Sequence, residues 1–436
     1  MSYSWIWNPS LESASRKDLE EIQVKRLREQ IYRVYNNTSY YHRKMKEVGL
    51  KPEDIKSLED VKKLPFTTKD DLRENHPFGY LVVDYSNIVE IHGTSGTTGE
   101  SIFMYYTAKD IENWGEVMAR SLAAAGLTKN DIIQITPSFS LFTGGFGFFY
   151  GARKIGACIV PTGPGFSKRQ VYVMMKLGTT MLAGIANYAL RLAEVAFELG
   201  IDPAKDTKVR KGVFGAEMWS NALRKKIEKI WDMETFDIYG MAELYGPGTA
   251  IDCEYHEGLH VWEDHYFVEV VDPKTGELLE PEEKGELVVT TLTKDAVPLI
   301  RYRTRDITRI IDIKTCECGR THKKIDRIQG RTDDMFIING VNIWPSAIEA
   351  VLHSNPLVGN EYQIVALLRE SGDKLIVRVE SIKKLSEDEK ALLEKKVREN
   401  LKEVVLVDPV VEVVDPSTLP RSEGKAQRIQ VVREYT

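Results

Sequence analysis

The chain has 436 residues, of which 42% are hydrophobic and 28% charged, with a formal net charge of -6 and four cysteines. That size allows two or three domains with a large core, while the small charge and lack of a long basic run argue against a nucleic-acid partner. No apolar stretch reaches membrane-spanning length, the first residues lack a signal-peptide pattern, and four cysteines make no disulfide framework; a cytoplasmic protein is the expectation.

Taken in chain order, residues 16–46 read as helical, with Leu19, Ile22, Leu27, Ile31 and Val34 near one face. From about 88 to 250, short β-rich runs alternate with helical patterns. Ile132–Ile135, Cys158–Val160, Gly212–Phe214 and Phe236–Ile238 read as buried strands. Ile111–Ala125, Lys168–Lys176, Tyr188–Leu199 and Asn221–Trp231 read as the helices between them. Such alternation predicts an α/β core with a largely parallel sheet, whose ligands sit at the carboxyl ends of the strands. Near residue 260 the pattern changes. Tyr266–Val271 and Gly285–Thr290 flank the turn signal Asp272-Pro273-Lys274-Thr275-Gly276, an antiparallel hairpin or small barrel. After Gly330-Arg331 come a strand near Met335–Ile338, a helix opened by Pro345, two strands, and a helix whose start carries the capping box Ser386…Glu389. The expected organisation is therefore a multidomain α/β chain. Residues 1–330 form a large region with a parallel-rich core and a β-hairpin or barrel part, and residues 331–436 a small mobile α/β lid.

Chemistry enters at Thr94-Ser95-Gly96-Thr97-Thr98-Gly99, whose glycines free the backbone and whose hydroxyls and N–H groups can wrap a phosphate. It is not a Walker A loop, because Gly99 is followed by Glu100 and Ser101 in place of Lys-Ser/Thr. Downstream, in order, stand Phe214-Gly215-Ala216-Glu217, Asp237-Ile238-Tyr239-Gly240-Met241-Ala242-Glu243, Arg301 to Asp306, Gly330-Arg331-Thr332-Asp333, and Pro420 to Lys425. This series resembles the adenylate-forming acyl-coenzyme A synthetase superfamily. The segments Leu141-Phe142-Thr143-Gly144-Gly145, Tyr245-Gly246-Pro247-Gly248, Trp262-Glu263-Asp264-His265, Gly340-Val341-Asn342-Ile343 and Arg421 to Arg428 resemble its phenylacetate–coenzyme A ligases more than its luciferase-like members.

The resemblance implies an acid–thiol ligase: an aryl carboxylate attacks ATP, giving an acyl-adenylate and pyrophosphate, and the acyl group then passes to coenzyme A with release of AMP. It implies that Ser95, Gly96, Thr97, Thr98 and Gly99 cradle phosphates and that Gly215, Ala216 and Glu217 pack against adenine. Asp237, Tyr239, Gly240, Met241 and Ala242 would complete the nucleotide site. Glu243 would hold Mg²⁺, Asp306 the ribose hydroxyls with Arg331 beside it, and Lys425 the α-phosphate and substrate carboxylate. Asp333 maps to the hinge, and a homodimer is implied. Glu100 departs from the family's usual lysine. For the acyl group, Phe139, Phe142, Gly144 and Phe146 offer aromatic faces and small residues that suit a flat aryl acid. Acyl transfer to a carrier protein or an amine, or a nucleotide binder that has lost catalysis, are the alternative readings.

Separately, Cys316-Glu317-Cys318 is a Cys-x-Cys turn, with Cys253 upstream. Clustered thiols in a chain of this kind suggest structural Zn²⁺ on four N/S ligands. Cys253, His260, Cys316 and Cys318 are the expected set, with His256 and His322 as rivals for the histidine place. Cys158 is expected in the core.

Overall fold

The computed structural model describes residues 5–94, 101–311, 315–333, 336–339, 341–369, 373–421 and 428–434. The predicted alternation forms a nine-stranded sheet. From one edge its order is Ile310–Ile311, Lys324–Ile325, Leu259–Val261, Gly246–Ile251, Glu234–Met241, Lys211–Gly215, Met181–Gly184, Ile132–Ile135 and Cys158–Pro161. The five strands from Glu234–Met241 to Cys158–Pro161 are parallel and joined by helices, while the other four run antiparallel. The helices are Gly144–Ile155, Ser167–Leu177, Ala186–Glu198 and Asn221–Trp231. Short β-branched runs that can be buried on both faces suit parallel strands covered by such helices.

The long N-terminal helix breaks once. Helix Arg16–Asn37 ends at Thr38, whose extended backbone stops it and whose hydroxyl accepts from the Tyr41 N–H to cap a second helix, Ser39–Glu47. Leu19, Leu27, Ile31 and Val34 are buried as expected; Gln23 takes a buried place beside the half-buried Ile22. The hairpin Tyr266–Val271/Gly285–Thr291 extends through Tyr302–Thr308 and Gly330–Arg331 into a four-stranded antiparallel sheet. In its turn, Asp272 accepts from the N–H groups of Lys274 and Thr275.

The C-terminal residues build their own core from Phe336, Ile348, Leu352, Ile364, Val377, Val397, Leu401 and neighbours. Helix Pro345–Ser354 and helix Glu387–Val405, the latter opened by the predicted capping box, pack with the mixed sheet Val410–Val414, Lys374–Ser381, Val358–Arg369, Ile429–Glu434. Strands Val410–Val414 and Ile429–Glu434 of that sheet were not among those read from the sequence. Cys158 is a correction: it lies on the outermost strand and is exposed, because an edge strand covers only part of its side chains.

Candidate active site

The carboxyl ends of Lys211–Gly215 and Glu234–Met241 bring the central motifs together. At Gly215 an added Cβ would lie 2.2 Å from the Ile238 carbonyl oxygen, so only glycine permits the strands to approach this closely. Ala216 follows with φ of 66° and is exposed at the end of its strand. Glu217 turns inward: its carboxylate accepts from the Asn187 backbone and side-chain N–H groups at 2.9 and 3.0 Å. Burial, helped by the Glu349 carboxylate, pushes its pKa up to about 7.

Two residues apart on one strand, Asp237 and Tyr239 face different partners. Asp237 accepts from Trp219 Nε1 at 3.0 Å and Arg327 Nε at 2.6 Å, so its oxygens are engaged by protein. Tyr239 donates its hydroxyl to Asp306 Oδ2 at 2.6 Å, and Arg331 Nη1 donates to Asp306 Oδ1 at 2.8 Å. Asp306 and Arg331 are also register partners in the antiparallel sheet, which fixes their approach. Burial raises the Asp306 pKa to about 6, against the pull of Arg331. A carboxylate has lone pairs beyond these two bonds, so Asp306 can still accept from a diol. Arg331 reaches onward to Asp333 at 2.9 Å, and Arg305 reaches the same carboxylate at 3.3 Å; together they hold the exposed hinge candidate's pKa low against its partial burial.

Gly240 and Met241 end the strand, pairing with Pro247 and Gly246, and Ala242 starts a 3₁₀ turn that buries Glu243. Its carboxylate accepts from the Tyr302 hydroxyl at 3.2 Å and lies 3.6 Å from Lys69 Nζ. Beneath the turn, Lys294 is fully buried and donates to the Glu243 carbonyl at 2.9 Å, with its ammonium over the rings of Tyr106 and Tyr245. Burial lowers the Lys294 pKa to about 8. A single carboxylate presented this way fits Mg²⁺, which takes one or two protein carboxylates and fills its shell with water and phosphate oxygens. Neither Lys69 nor Lys294 was marked by the sequence: Lys69 reads as the first residue of a capped helix, and Lys294 has no pattern around it.

Phe139 and Phe146 form one aromatic cluster, with ring centroids 5.5 Å apart. Phe146 also lies 5.1 Å from the His92 ring and 6.2 Å from Tyr150, and His92 packs on Tyr106 and Trp114. Glu90 links the group, accepting from Tyr150 at 2.6 Å and pairing with His92 Nε2 at 2.5 Å. Gly144 opens the helix that carries Phe146. Phe142 stands apart: it is 44% exposed and makes none of these ring contacts. His92, Trp114, Tyr106 and Tyr150 were missed because they come from four separate elements, and only the fold assembles them. Ser95, Gly96, Thr97, Thr98, Gly99, Glu100 and Lys425 lie outside the described residues.

Two strands along the sheet from Glu234–Met241, around Leu259–Val261, Cys253, His260, Cys316 and Cys318 converge, their ligand atoms all within 4.8 Å of one another. The rivals are engaged elsewhere. His256 meets Asp252 and Arg224, and His322 accepts from the Glu263 N–H at 2.9 Å.

A parallel sheet whose strand ends carry glycine turns, an Asp–Tyr–Arg cluster and a buried lone carboxylate has the architecture of an adenylate-forming enzyme. The family model for AMP-binding enzymes matches residues 37–292, and that for the AMP-binding enzyme C-terminal domain matches residues 340–433. The phenylacetate-coenzyme A ligase of Escherichia coli (strain K12) is 40% identical over 424 residues, 96% of each chain. A solved 2-hydroxyisobutyryl-CoA ligase in the postadenylation state, in complex with R3-HIB-AMP, is 30% identical. It superposes with a TM-score of 0.89, over 98% of this chain and 92% of that one. The same ligase in complex with 2-HIB-AMP and CoA in the thioesterification state, also 30% identical over the same shares of both chains, gives 0.72. The chain belongs to the phenylacetate–coenzyme A ligase family of AMP-binding enzymes.

Proposed function

We propose that this chain joins an aryl carboxylic acid of the phenylacetate type to coenzyme A, through an acyl-adenylate and with release of AMP and pyrophosphate. Family membership over nearly the whole chain carries the ATP-dependent acid–coenzyme A ligation. The aromatic cluster at Phe139, Phe146 and His92 supports the choice of an aryl acid. Asp306 accepts the ribose hydroxyls while Tyr239 and Arg331 hold its carboxylate in place. Gly215 and Ala216 leave a thin backbone edge for adenine, with Asp237 bracing the strand from behind through Trp219 and Arg327. Residues 95–99 cradle the β- and γ-phosphates. Mg²⁺ on Glu243 supplies charge neutralisation to the triphosphate when bound. Glu243 is oriented by Tyr302, and Lys294 fixes the backbone of its turn.

In the first step the substrate carboxylate oxygen attacks the α-phosphorus, the bond to the bridging oxygen breaks, and pyrophosphate leaves with that electron pair. Lys425 neutralises the charge that builds on the α-phosphate, which makes positioning and electrostatics the main sources of rate. In the second step the thiol sulfur displaces AMP from the acyl carbon and loses its proton. We read residues 1–330 as the large domain and 331–436 as the lid, hinged at Asp333. The higher TM-score against the postadenylation arrangement favours the same arrangement of the two parts here. A structural Zn²⁺ on Cys253, His260, Cys316 and Cys318, a homodimer and a cytoplasmic location complete the reading. No helix of the described residues is long and apolar enough to cross a membrane.

The test is a panel of arylacetic, benzoic and short aliphatic acids with ATP, Mg²⁺ and coenzyme A, read by mass spectrometry of the thioester. Thioester from arylacetates at the highest kcat/KM is expected. Preference for an aliphatic acid would overturn the substrate class, and AMP release without thioester would favour another acceptor.

A further inference from the structure

The four-residue Cys/His centre gathers around strand Leu259–Val261 on the antiparallel side of the nine-stranded sheet, two strands from Glu234–Met241, and nothing in the proposed ligation chemistry uses it. Its spacing is that of a metal shell. Cys253 Sγ and Cys316 Sγ are 3.7 Å apart, and Cys318 Sγ is 3.5 Å from His260 Nε2. Ligands at the usual Zn–S and Zn–N lengths around a tetrahedral ion stand about 3.8 Å apart for two sulfurs and about 3.5 Å for sulfur and nitrogen. A disulfide would bring two sulfurs to about 2.0 Å. His260 is fully buried, its Nδ1 has no hydrogen-bond partner, and its Nε2 faces only thiols. A histidine buried with so little hydrogen bonding is costly unless a metal bond offsets the loss.

The turn that carries two of these ligands continues directly into a clamp. Gly319 accepts at its carbonyl from Ser13 Oγ at 3.0 Å. Arg320, wholly buried, donates Nε to Glu12 Oε2 at 2.8 Å and Nη2 to the Trp5 carbonyl at 2.6 Å. Thr321 donates its N–H to the Glu12 carbonyl at 3.0 Å and its hydroxyl to the Ala14 carbonyl at 2.6 Å. His322 Nε2 meets the Leu11 carbonyl at 3.1 Å. Four consecutive residues after the Cys-x-Cys pair thus hold the N-terminal arm, residues 5–14. The arm's other anchors include the Trp5 backbone N–H to the Ala123 carbonyl at 3.2 Å, the indole N–H groups of Trp5 to the Leu127 carbonyl and Trp7 to Glu116, and the Asn8 side chain on Glu116.

We propose that Zn²⁺ in this centre is a fastener for the N-terminal arm: by fixing Cys316 and Cys318 to Cys253 and His260, it holds residues 319–322 in the one geometry that grips residues 5–14. The inference rests on the zinc assignment and adds what the ion does. Without the ion, three thiols and an imidazole have no bond strong enough to set the turn. The buried Glu12–Arg320 pair then loses its frame, and a buried pair is worth keeping only with good geometry. The arm is short and local, so its release is a sub-global opening that leaves the main core folded.

The experiment uses the full chain: zinc per protomer by elemental analysis, and amide hydrogen exchange over residues 5–14, before and after zinc is displaced by a mercurial reagent and chelated. One zinc per chain is expected, with exchange of the arm at least about tenfold faster once it is removed. Cys318→Ser is expected to reproduce both effects. Glu12→Gln is expected to speed exchange of the arm while zinc stays at one per chain. Zinc present but arm exchange unchanged on removal would overturn the fastening and leave the metal site standing. A wild-type chain that holds no zinc after purification or after dialysis against zinc chloride would overturn both. If Cys318→Ser does not fold, the chelation series on the wild type decides alone.

Discussion

At Asp306, burial and ligand binding pull in opposite directions. The carboxyl is raised to about 6 from an unfolded value near 3.9, so the folded state binds its proton more tightly than the unfolded state. That contribution to stability is full below about pH 4 and is lost as pH rises toward 6; the deficit at neutral pH is of the order of 2–3 kcal/mol. The proposed ribose contact uses the ionised form, which accepts from both hydroxyls. Asp306→Asn is therefore expected to flatten the pH dependence of unfolding between about pH 4 and 6 while weakening AMP binding, both readable by calorimetry. An unchanged AMP affinity would remove Asp306 from the ribose site. Glu243→Gln makes the complementary case. Glutamine still accepts from Tyr302 but carries no charge for a cation, so adenylation is expected to fall about 10²–10³-fold with little change in thermal stability. These residues were legible as motif members. Two of their supports were not, because Lys69 and Lys294 reach Glu243 from segments outside the motifs, while Tyr302 stands within the Arg301 to Asp306 motif without a role marked for it.

Between the helices, the fit depends on positions without side chains. Gly246 has φ of 142°, and a Cβ there would lie 2.5 Å from Trp114 and 2.7 Å from Thr143. Gly246→Ala is expected to cost about 2–4 kcal/mol by adding overpacking to backbone strain, measured by urea unfolding. On the neighbouring helix, Phe146→Ala removes one wall of the aromatic cluster. It is expected to raise KM for arylacetates by about 10-fold or more and to leave ATP affinity unchanged, whereas Phe142→Ala at its exposed position should change neither quantity. At this scale four of the five parallel strands and the helices Ser167–Leu177, Ala186–Glu198 and Asn221–Trp231 were readable from periodicity, because each pattern is local; helix Gly144–Ile155 was not. Strands Met181–Gly184 and Leu259–Val261 were not, the first having no β-branched residue and the second only three residues. The aromatic cluster could be seen only as far as its one contiguous stretch.

Across the molecule, several of the contacts between the large part and the C-terminal part are polar. Lys226 donates to Asn360, Asn360 to Glu194, and Ser346 to the Gln329 carbonyl. Several buried polar atoms on or near this seam have no hydrogen-bond partner, among them Glu349 Oε1, both His353 nitrogens and two nitrogens of Arg428. Groups buried without partners weigh against a permanently closed seam, which supports the proposed lid role of the C-terminal part. Lys425→Ala is expected to abolish adenylation and largely spare thioester formation from supplied acyl-adenylate in single-turnover assays; equal loss of both would refute that division. The order of motifs made the two-part organisation readable in the sequence. The character of the seam was not, since contacts such as Lys226 to Asn360 join residues 134 positions apart.

The most direct measurement is exchange of labelled pyrophosphate into ATP in the presence of phenylacetate and Mg²⁺, with coenzyme A left out. Acid-dependent exchange without coenzyme A is the predicted result, because adenylation is complete and reversible before the thiol binds. Thioester formation in the full reaction with no exchange in its absence would contradict a free-standing acyl-adenylate step, and with it the roles given to Glu243, Asp306 and Lys425.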